Sequence, residues 1–225
     1  IAKEIQKHFP QHRIYIEPFF GAGGMFFNKP KAKYNIVNDM DSDVFNLFQV
    51  VSNHKEEFEQ AFFQMPIHAD LLEYWKENKE TDPIRKALRF LLRSNFTYFG
   101  TGTALSYTFA DSKGHLMKML DETNKLLFGV QFDNDDFRRF LRKPNFTKGE
   151  NFRDESFIYC DPPYLGTTDN YESSFTETDS IDLFNSLNDT GCKWAMSEFD
   201  NEFILNQAKE RRLNVIYIGE RINLK

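Results

Sequence analysis

The chain has 225 residues and a formal net charge of −6, the difference between 28 basic and 34 acidic side chains. This length fits one large domain or one domain with an insertion, and it is enough to bury a core without disulfides. Two cysteines are too few for a disulfide framework, and no apolar run reaches the about 18 residues of a membrane span. The sequence therefore excludes a secreted mini-protein, a membrane protein and a disordered chain, and it favours a reducing, cytosolic setting.

The first 50 residues predict a strand, a glycine turn, a helix, a second strand and a second helix. The apolar run RIYIEPFF, residues 13–20, stops at Gly21, as a buried strand does. The next strand is YNIVND, residues 34–39, and Asp41 and Ser42 can cap the helix that follows. A short helix over residues 1–9 precedes these elements.

The middle of the chain has a different pattern. Helices are predicted across residues 54–95, one of them beginning at Asp82-Pro83, and hairpins or loops across 96–120, followed by a further helical stretch to Pro144. Residues 76–148 hold 14 basic against 9 acidic side chains, a local charge of 14 − 9 = +5. Such a charge suits contact with phosphates, although a solvated helical surface gives the same pattern.

Strands and helices alternate again towards the end of the chain. The predicted elements are a strand at 157–162, a helix near 178–189, a strand at 193–198, a helix near 201–212 and a strand at 214–220. Alternation of this kind predicts a parallel sheet with right-handed crossovers. The expected architecture is a Rossmann-like, doubly wound, mostly parallel α/β domain, formed by residues 1–53 and 145–225 and interrupted by a mainly helical insert at 54–144.

Two turns at strand ends carry the candidate chemistry. In the first, EPFFGAGG from Glu17 to Gly24, glycines allow a ligand to approach the backbone closely, and Asp39 follows Gly21 by the spacing at which a carboxylate binds ribose hydroxyls. In the second, Asp161-Pro162-Pro163-Tyr164, two prolines must end the strand. This corner presents a carboxylate, a proline carbonyl and an aromatic ring, a set that suits a planar heterocycle with an amino group.

The order EPFFGAGG, NDMDSD, a long insert and then CDPPY resembles that of the Dam-like DNA adenine methyltransferases. The resemblance covers most of the chain and implies the fold of a class I methyltransferase with S-adenosylmethionine as cofactor. It implies cofactor contacts from the following residues: Phe19, Gly21, Ala22, Gly23, Asp39, Asn151, Phe152 and Asp161. Residues Asp161, Pro162, Pro163 and Tyr164 would be the catalytic set. The family's N-terminal cofactor segment and its last strand have no match in this chain.

The resemblance also implies a mechanism. Asp161 and the Pro162 carbonyl would accept hydrogen bonds from the amino group of an adenine that has been flipped out of duplex DNA, while Tyr164 stacks on the base. The insert would read DNA through Arg93, Asn95 and Tyr98, and residues 166–174 would form a lid. We expect a bacterial or phage-encoded monomer in the cytoplasm, acting on double-stranded DNA without a membrane or a metal, because the His and Cys residues lack ligand spacing.

Three other functions fit parts of this pattern. The same chemistry could act on RNA adenine or a protein amide, and a non-catalytic DNA-binding subunit could retain the fold. A nicotinamide oxidoreductase is disfavoured, because its reaction gives the DPPY residues no function. The sequence leaves open the recognition sequence and whether the enzyme is solitary, phage-encoded or part of a restriction-modification pair.

Overall fold

The structure is a computed structural model that describes residues 1–106, 112–143, 150–165 and 175–219. The elements in chain order are α1 (Ala2–Gln6), β1 (Ile14–Glu17), β2 (Tyr34–Asn38), α2 (Ser42–Asn53), α3 (Lys55–Gln64), α4 (Ala69–Glu77), α5 (Pro83–Asn95), α6 (Ser112–Leu127), β3 (Val130–Asp133), α7 (Phe137–Phe140), α8 (Glu150–Glu155), β4 (Ser156–Cys160), α9 (Glu177–Thr190), β5 (Lys193–Met196) and α10 (Glu202–Glu210). A single 3-10 turn, Tyr98–Gly100, follows α5.

The chain divides into two compact units. One unit combines Ile1–Asp39 with Gln131–Lys225, and the other is Met40–Val130. The sequence placed the catalytic part at 1–53 and 145–225 and the insert at 54–144, whereas the unit boundaries fall after Asp39 and Val130. The functional division of the chain stays a prediction.

The first unit is built on a five-stranded sheet with the order β3-β2-β1-β4-β5. The pairs β1–β2, β1–β4 and β4–β5 are parallel. In these pairs Glu17 lies beside Val37 and Cys160 lies beside Met196. Because parallel strands share their direction, the residues that follow β1, β2, β4 and β5 emerge at one edge, where α/β sheets bind ligands. The predicted α/β class with a mostly parallel sheet is confirmed.

Successive side chains on a strand point to opposite sides of the sheet, and in this unit other side chains cover both faces. One face carries a buried apolar cluster that includes Ile16, Ile158 and Leu183, with α7 and α9 packed against it. On the other face the Phe9 ring lies 4.6 Å from the Phe157 ring and 5.2 Å from the Tyr159 ring.

The second unit consists mainly of helices. The predicted start of α5 is confirmed, since Asp82 accepts a hydrogen bond from the Arg85 N–H at 2.8 Å and Pro83 occupies the first turn. Asp41 caps α2 in the same way, accepting from the Asp43 N–H at 2.7 Å. The packing core includes buried aromatic and aliphatic residues from α3, α4 and α5: Phe58, Phe62, Leu72, Trp75, Leu88 and Leu92.

Four predicted features of secondary structure were wrong. No helix follows the glycine turn, because Gly21 and Gly23 have φ of +50° and +71° and residues 21–29 form successive turns instead. Helix α6 already begins at Ser112, within the segment assigned to hairpins or loops. Strand β3 was assigned to a helix. Residues 214–219 form no strand, because a strand needs a neighbour to receive its backbone hydrogen bonds.

Candidate active site

The glycine turn is tied directly to the acidic residue at the end of β2. The Gly21 N–H donates a hydrogen bond of 2.7 Å to Oδ2 of Asp39, which closes a loop of 18 residues. An ideal Cβ placed on Gly21 or on Gly24 would have no atom within 4 Å. The backbone at these two positions therefore has open space where a side chain would lie. Asp39 lies beside Gly21.

Gly23 has the opposite environment, since it is packed tightly against aromatic rings. A Cβ at this position would lie 2.3 Å from the Phe27 ring and 2.9 Å from the Phe20 ring. Phe20 is almost fully buried and packs edge-on to Phe132 with ring centroids 5.0 Å apart. Only glycine fits a position with both this contact and a left-handed φ.

Asn38 holds the turn after β1 in place, a role that the sequence analysis missed. Its buried side-chain amide donates to the carbonyls of Pro18 and Asp135, each at 2.9 Å, and its oxygen accepts the Asp135 N–H at 3.0 Å. These three bonds join the ends of β1 and β2 to the segment after β3. An asparagine at the end of a strand, next to an acidic residue, was the available signal.

The proline corner follows β4 directly. Pro162 is buried, Tyr164 is half-buried and Asp161 is exposed. The Tyr164 hydroxyl donates to Oδ1 of Asp161 at 2.8 Å. The Tyr164 ring meets the Phe199 ring edge-on, with centroids 4.3 Å apart. The corner therefore presents a carboxylate at the surface with an aromatic ring beside it.

Ser197, which follows β5, reaches the same carboxylate and was also missed from sequence. Its hydroxyl donates to Oδ1 of Asp161 at 2.6 Å, and it accepts from the Tyr159 hydroxyl at 2.9 Å. The available sequence signal was the position of Ser197 in the chain, because it directly follows β5 at the same edge of the sheet as Asp39 and Asp161.

A buried acid at the end of β1 is coupled to both corners. Glu17 is 1% exposed and accepts from the Tyr15 hydroxyl at 2.8 Å. Burial raises the pKa of Glu17 to about 8; the Tyr15 hydrogen bond opposes this rise, while repulsion from Asp161 and Asp39 adds to it. Glu17 therefore interacts with both Asp39 and Asp161 at one edge of the sheet.

A lysine lies near this acidic edge. Burial lowers the pKa of Lys29 to about 8, partly offset by the attraction of Glu17. Its Nζ lies 3.9 Å from the centroid of the Tyr15 ring, a cation–π contact, and donates to the Pro30 carbonyl at 3.1 Å. The edge thus carries the carboxylates of Asp39 and Asp161, the buried acid Glu17 and one weakly basic ammonium group.

The other residues predicted to contact the cofactor lie in different elements of the first unit. The Phe19 ring is partly buried and packs 5.4 Å from the Phe137 ring, whereas Ala22 is exposed. Phe152 packs against the apolar cluster of the sheet. Asn151 belongs to α8, but its side chain and the predicted lid at 166–174 lie outside the described residues.

The DNA-reading candidates lie together in the second unit, around the end of α5. Arg93 is partly buried and its Nε is 2.8 Å from the Cβ position of Gly102. Asn95 is exposed and donates to the Ser94 hydroxyl at 2.8 Å, and Tyr98 is 50% exposed. Asn95 and Tyr98 are accessible to a ligand, whereas the Arg93 side chain packs against Gly102.

Neither a metal centre nor a membrane span is found among the described residues. No group of three or more His, Cys, Asp or Glu side chains in this part of the chain is arranged to hold a metal ion. Across the same part, every helix is too short or too polar to cross a bilayer. Both cysteines, Cys160 and Cys192, are buried free thiols.

The chain is similar to known adenine-specific enzymes over nearly its whole length. The family model described as D12 class N6 adenine-specific DNA methyltransferase matches residues 1–223. A DNA adenine methylase of Escherichia coli K12 is 28% identical over 189 residues, covering 80% of this chain and 66% of the relative. The Serratia marcescens enzyme of the same name is 29% identical, with 80% and 69% covered. That of Vibrio cholerae is 26% identical over 242 residues, with 100% and 83% covered.

Proposed function

Because the chain belongs to the D12 class N6 adenine-specific DNA methyltransferase family, we propose that it transfers a methyl group from S-adenosylmethionine to the N6 amino group of adenine in double-stranded DNA. The observation that carries this proposal is the Asp161 carboxylate, exposed at the proline corner and held by two hydroxyl groups beside the acidic edge of the sheet. The chain spans 66% of the length of the Escherichia coli relative.

The glycine turn suits S-adenosylmethionine. Gly21 and Gly24 leave open space where a side chain would stand, so a ligand can lie against the backbone. We assign to Asp39 the hydrogen bonds from the ribose hydroxyls, because acidic residues at this position of Rossmann-like folds accept them. The carboxylates of Asp39 and Asp161 favour a ligand whose ammonium and sulfonium groups are positive. Phe19, Ala22, Gly23, Asn151 and Phe152 complete the proposed cofactor site.

The bound cofactor supplies an electrophilic methyl group on sulfur. The task of the protein is then to orient the adenine amino group, whose lone pair is delocalised into the ring. Asp161 and the Pro162 carbonyl can each accept a hydrogen bond from one N–H of the amino group, which directs the lone pair towards the methyl group. Pro163 keeps the corner rigid, and positioning of this kind contributes much of the rate of a displacement reaction.

Access to this corner requires the target adenine to leave the duplex, at a cost of a few kcal/mol of unstacking. Tyr164 is half-buried, with Phe199 against one part of its ring, and we assign its remaining surface to stacking on the base. We assign target reading to residues 54–144, with Arg93, Asn95 and Tyr98 as contacts, and catalysis to 1–53 and 145–225. The matched relatives are bacterial, which supports a bacterial or phage enzyme, and we further propose that it acts as a monomer on cytoplasmic DNA.

Labelled S-adenosylmethionine and three acceptors test this function. The full-length protein is incubated with duplex DNA, with RNA of the same sequence or with a glutamine-containing protein, and the modified base is identified by mass spectrometry. We expect N6-methyladenine in DNA only. Methylation of RNA or protein alone, or DNA binding without any transfer, would overturn the proposal.

Two variants separate catalysis from cofactor binding. Asp161→Ala should abolish transfer while most of the cofactor affinity is kept, and Asp39→Ala should chiefly weaken cofactor affinity, measured by calorimetry. Asp189→Asn changes an exposed carboxylate on α9 and serves as the matched control, with unchanged activity expected. An equal loss of cofactor affinity in the first two variants would contradict the separate roles.

A further inference from the structure

One oxygen of the Asp161 carboxylate is fully used by the protein. Oδ1 accepts from the Tyr164 hydroxyl at 2.8 Å and from the Ser197 hydroxyl at 2.6 Å. A carboxylate oxygen has two lone pairs, so two donors occupy both. Among the described residues no donor reaches the other oxygen, Oδ2. The two oxygens of one side chain therefore have different environments.

The position of Ser197 is determined by the sheet. Its N–H donates to the Cys160 carbonyl at 3.0 Å, which extends the pairing of β4 with β5 by one residue. Cys160 directly precedes Asp161. The backbones that carry the donor and the acceptor are thus joined by a hydrogen bond next to the side-chain contact, and little freedom remains between them.

Tyr159 determines the direction in which the Ser197 hydroxyl points. The Tyr159 hydroxyl donates to Ser197 Oγ at 2.9 Å. Burial raises the pKa of Tyr159, and the nearby Asp161 carboxylate raises it further, so the phenol keeps its proton at neutral pH. Because Ser197 accepts from Tyr159, its own single proton is left for Asp161.

We infer that Ser197 is a positioning residue for methyl transfer. With Tyr164 it holds Oδ1 of Asp161 from a second direction, so that Oδ2 is correctly oriented to accept a hydrogen bond from the adenine amino group. Ser197 touches neither substrate nor cofactor in this role and acts only through Asp161. The inference rests on the proposed function, because it assigns the other oxygen to the target base.

Loss of the Ser197 hydroxyl leaves Tyr164 as the only donor to Asp161 among the described residues. The carboxylate can then rotate about its Cβ–Cγ bond, and displacements of about 1 Å at a reacting group cost on the order of 100-fold in rate. Asp161 retains one donor, so we expect Ser197→Ala to lower kcat about 10-fold to 100-fold. The dissociation constant for S-adenosylmethionine should change less than about threefold.

The experiment compares four variants with the wild type in methylation of duplex DNA, with kcat taken from steady-state rates and cofactor affinity measured by calorimetry. Ser197→Ala removes the donor, Ser197→Thr restores a hydroxyl, and Tyr159→Phe removes the group that orients it. Ser180→Ala is the matched control, because Ser180 is buried in α9 and its hydroxyl has no hydrogen-bond partner in the described part of the chain.

The inference predicts a large loss of kcat in Ser197→Ala, recovery in Ser197→Thr, a smaller loss in Tyr159→Phe and no change in Ser180→Ala. A purely structural role would lower the melting temperature or cofactor affinity together with kcat, and Ser197→Thr would not restore the rate selectively. Wild-type kcat in Ser197→Ala would refute the inference while leaving the proposed function intact. An inactive wild-type enzyme would overturn the proposed function and the inference with it.

Discussion

Replacement of Gly23 by alanine tests whether the glycine turn is shaped by packing as well as by ligand access. Gly23 has φ +71°, and its added Cβ would lie 2.3 Å from the Phe27 ring and 2.9 Å from the Phe20 ring. A left-handed φ costs an alanine about 1–2 kcal/mol, and overpacking costs about 1–3 kcal/mol. Phe27 can move, but Phe20 is only 2% exposed, so both costs apply.

We therefore expect Gly23→Ala to lower the free energy of unfolding by about 3 kcal/mol, within the combined range of about 2–5 kcal/mol. For a protein of this size that corresponds to a melting temperature lower by about 6–12 °C. Differential scanning calorimetry measures this shift, and calorimetric titration measures the accompanying loss of S-adenosylmethionine affinity as the turn is distorted.

Gly24→Ala is the matched control, since Gly24 lies in the same turn, has no left-handed φ and has open space at its Cβ position. Its melting temperature should stay within about 2 °C of the wild type, because surface substitutions usually stay within about 0.5 kcal/mol. Equal melting temperatures for the two variants would refute the packing argument. A Gly24 variant with wild-type stability but poor cofactor affinity would instead support close approach of the ligand at that position.

Three further predictions concern stability. Glu17→Gln tests the buried acid: the pKa of Glu17 is raised from 4.5 to about 8, so the folded state loses stability as the pH rises through that interval. The melting temperature of the variant minus that of the wild type should therefore grow from pH 4.5 to 8, and a flat difference would contradict the raised pKa. Asn38→Ala removes one buried and two partly buried hydrogen bonds and should cost about 2–4 kcal/mol in urea unfolding, because their partners lose a hydrogen bond. Arg138→Met breaks the contacts with Asp179 and Asp182 and should cost about 1–3 kcal/mol, whereas Arg139→Met, at a side chain 80% exposed, should have little effect; equal losses would refute the role of the Arg138 cluster.

The chemistry of the two turns could be predicted because each depends on local sequence. Two prolines after an apolar run must end a strand, and Asp161 is the residue that this corner exposes. Glycines followed at the correct spacing by Asp39 predict a turn and an acid at neighbouring strand ends. Their hydrogen bond of 2.7 Å is consistent with that reasoning.

The contacts that organise the site could not be predicted in the same way. Ser197 lies 36 residues from Asp161 in sequence, and no pattern within β5 indicates that its hydroxyl reaches that carboxylate. Glu17 belongs to the predicted motif, but its burial depends on what packs around the end of β1. Asn38 contacts the segment after β3, a strand that the sequence analysis did not recognise.

The sequence by itself determined which segments can be strands, where the glycine and proline turns interrupt them and which helices begin at a capping residue. These features follow from backbone sterics and from contacts between near neighbours. Only the tertiary structure decided that residues 214–219 have no strand partner among the described residues, that residues 130–133 join the sheet, and that Ser197 and Tyr164 share one oxygen of Asp161. A strand needs another strand for its hydrogen bonds, and a carboxylate is oriented by donors that folding brings from distant parts of the chain.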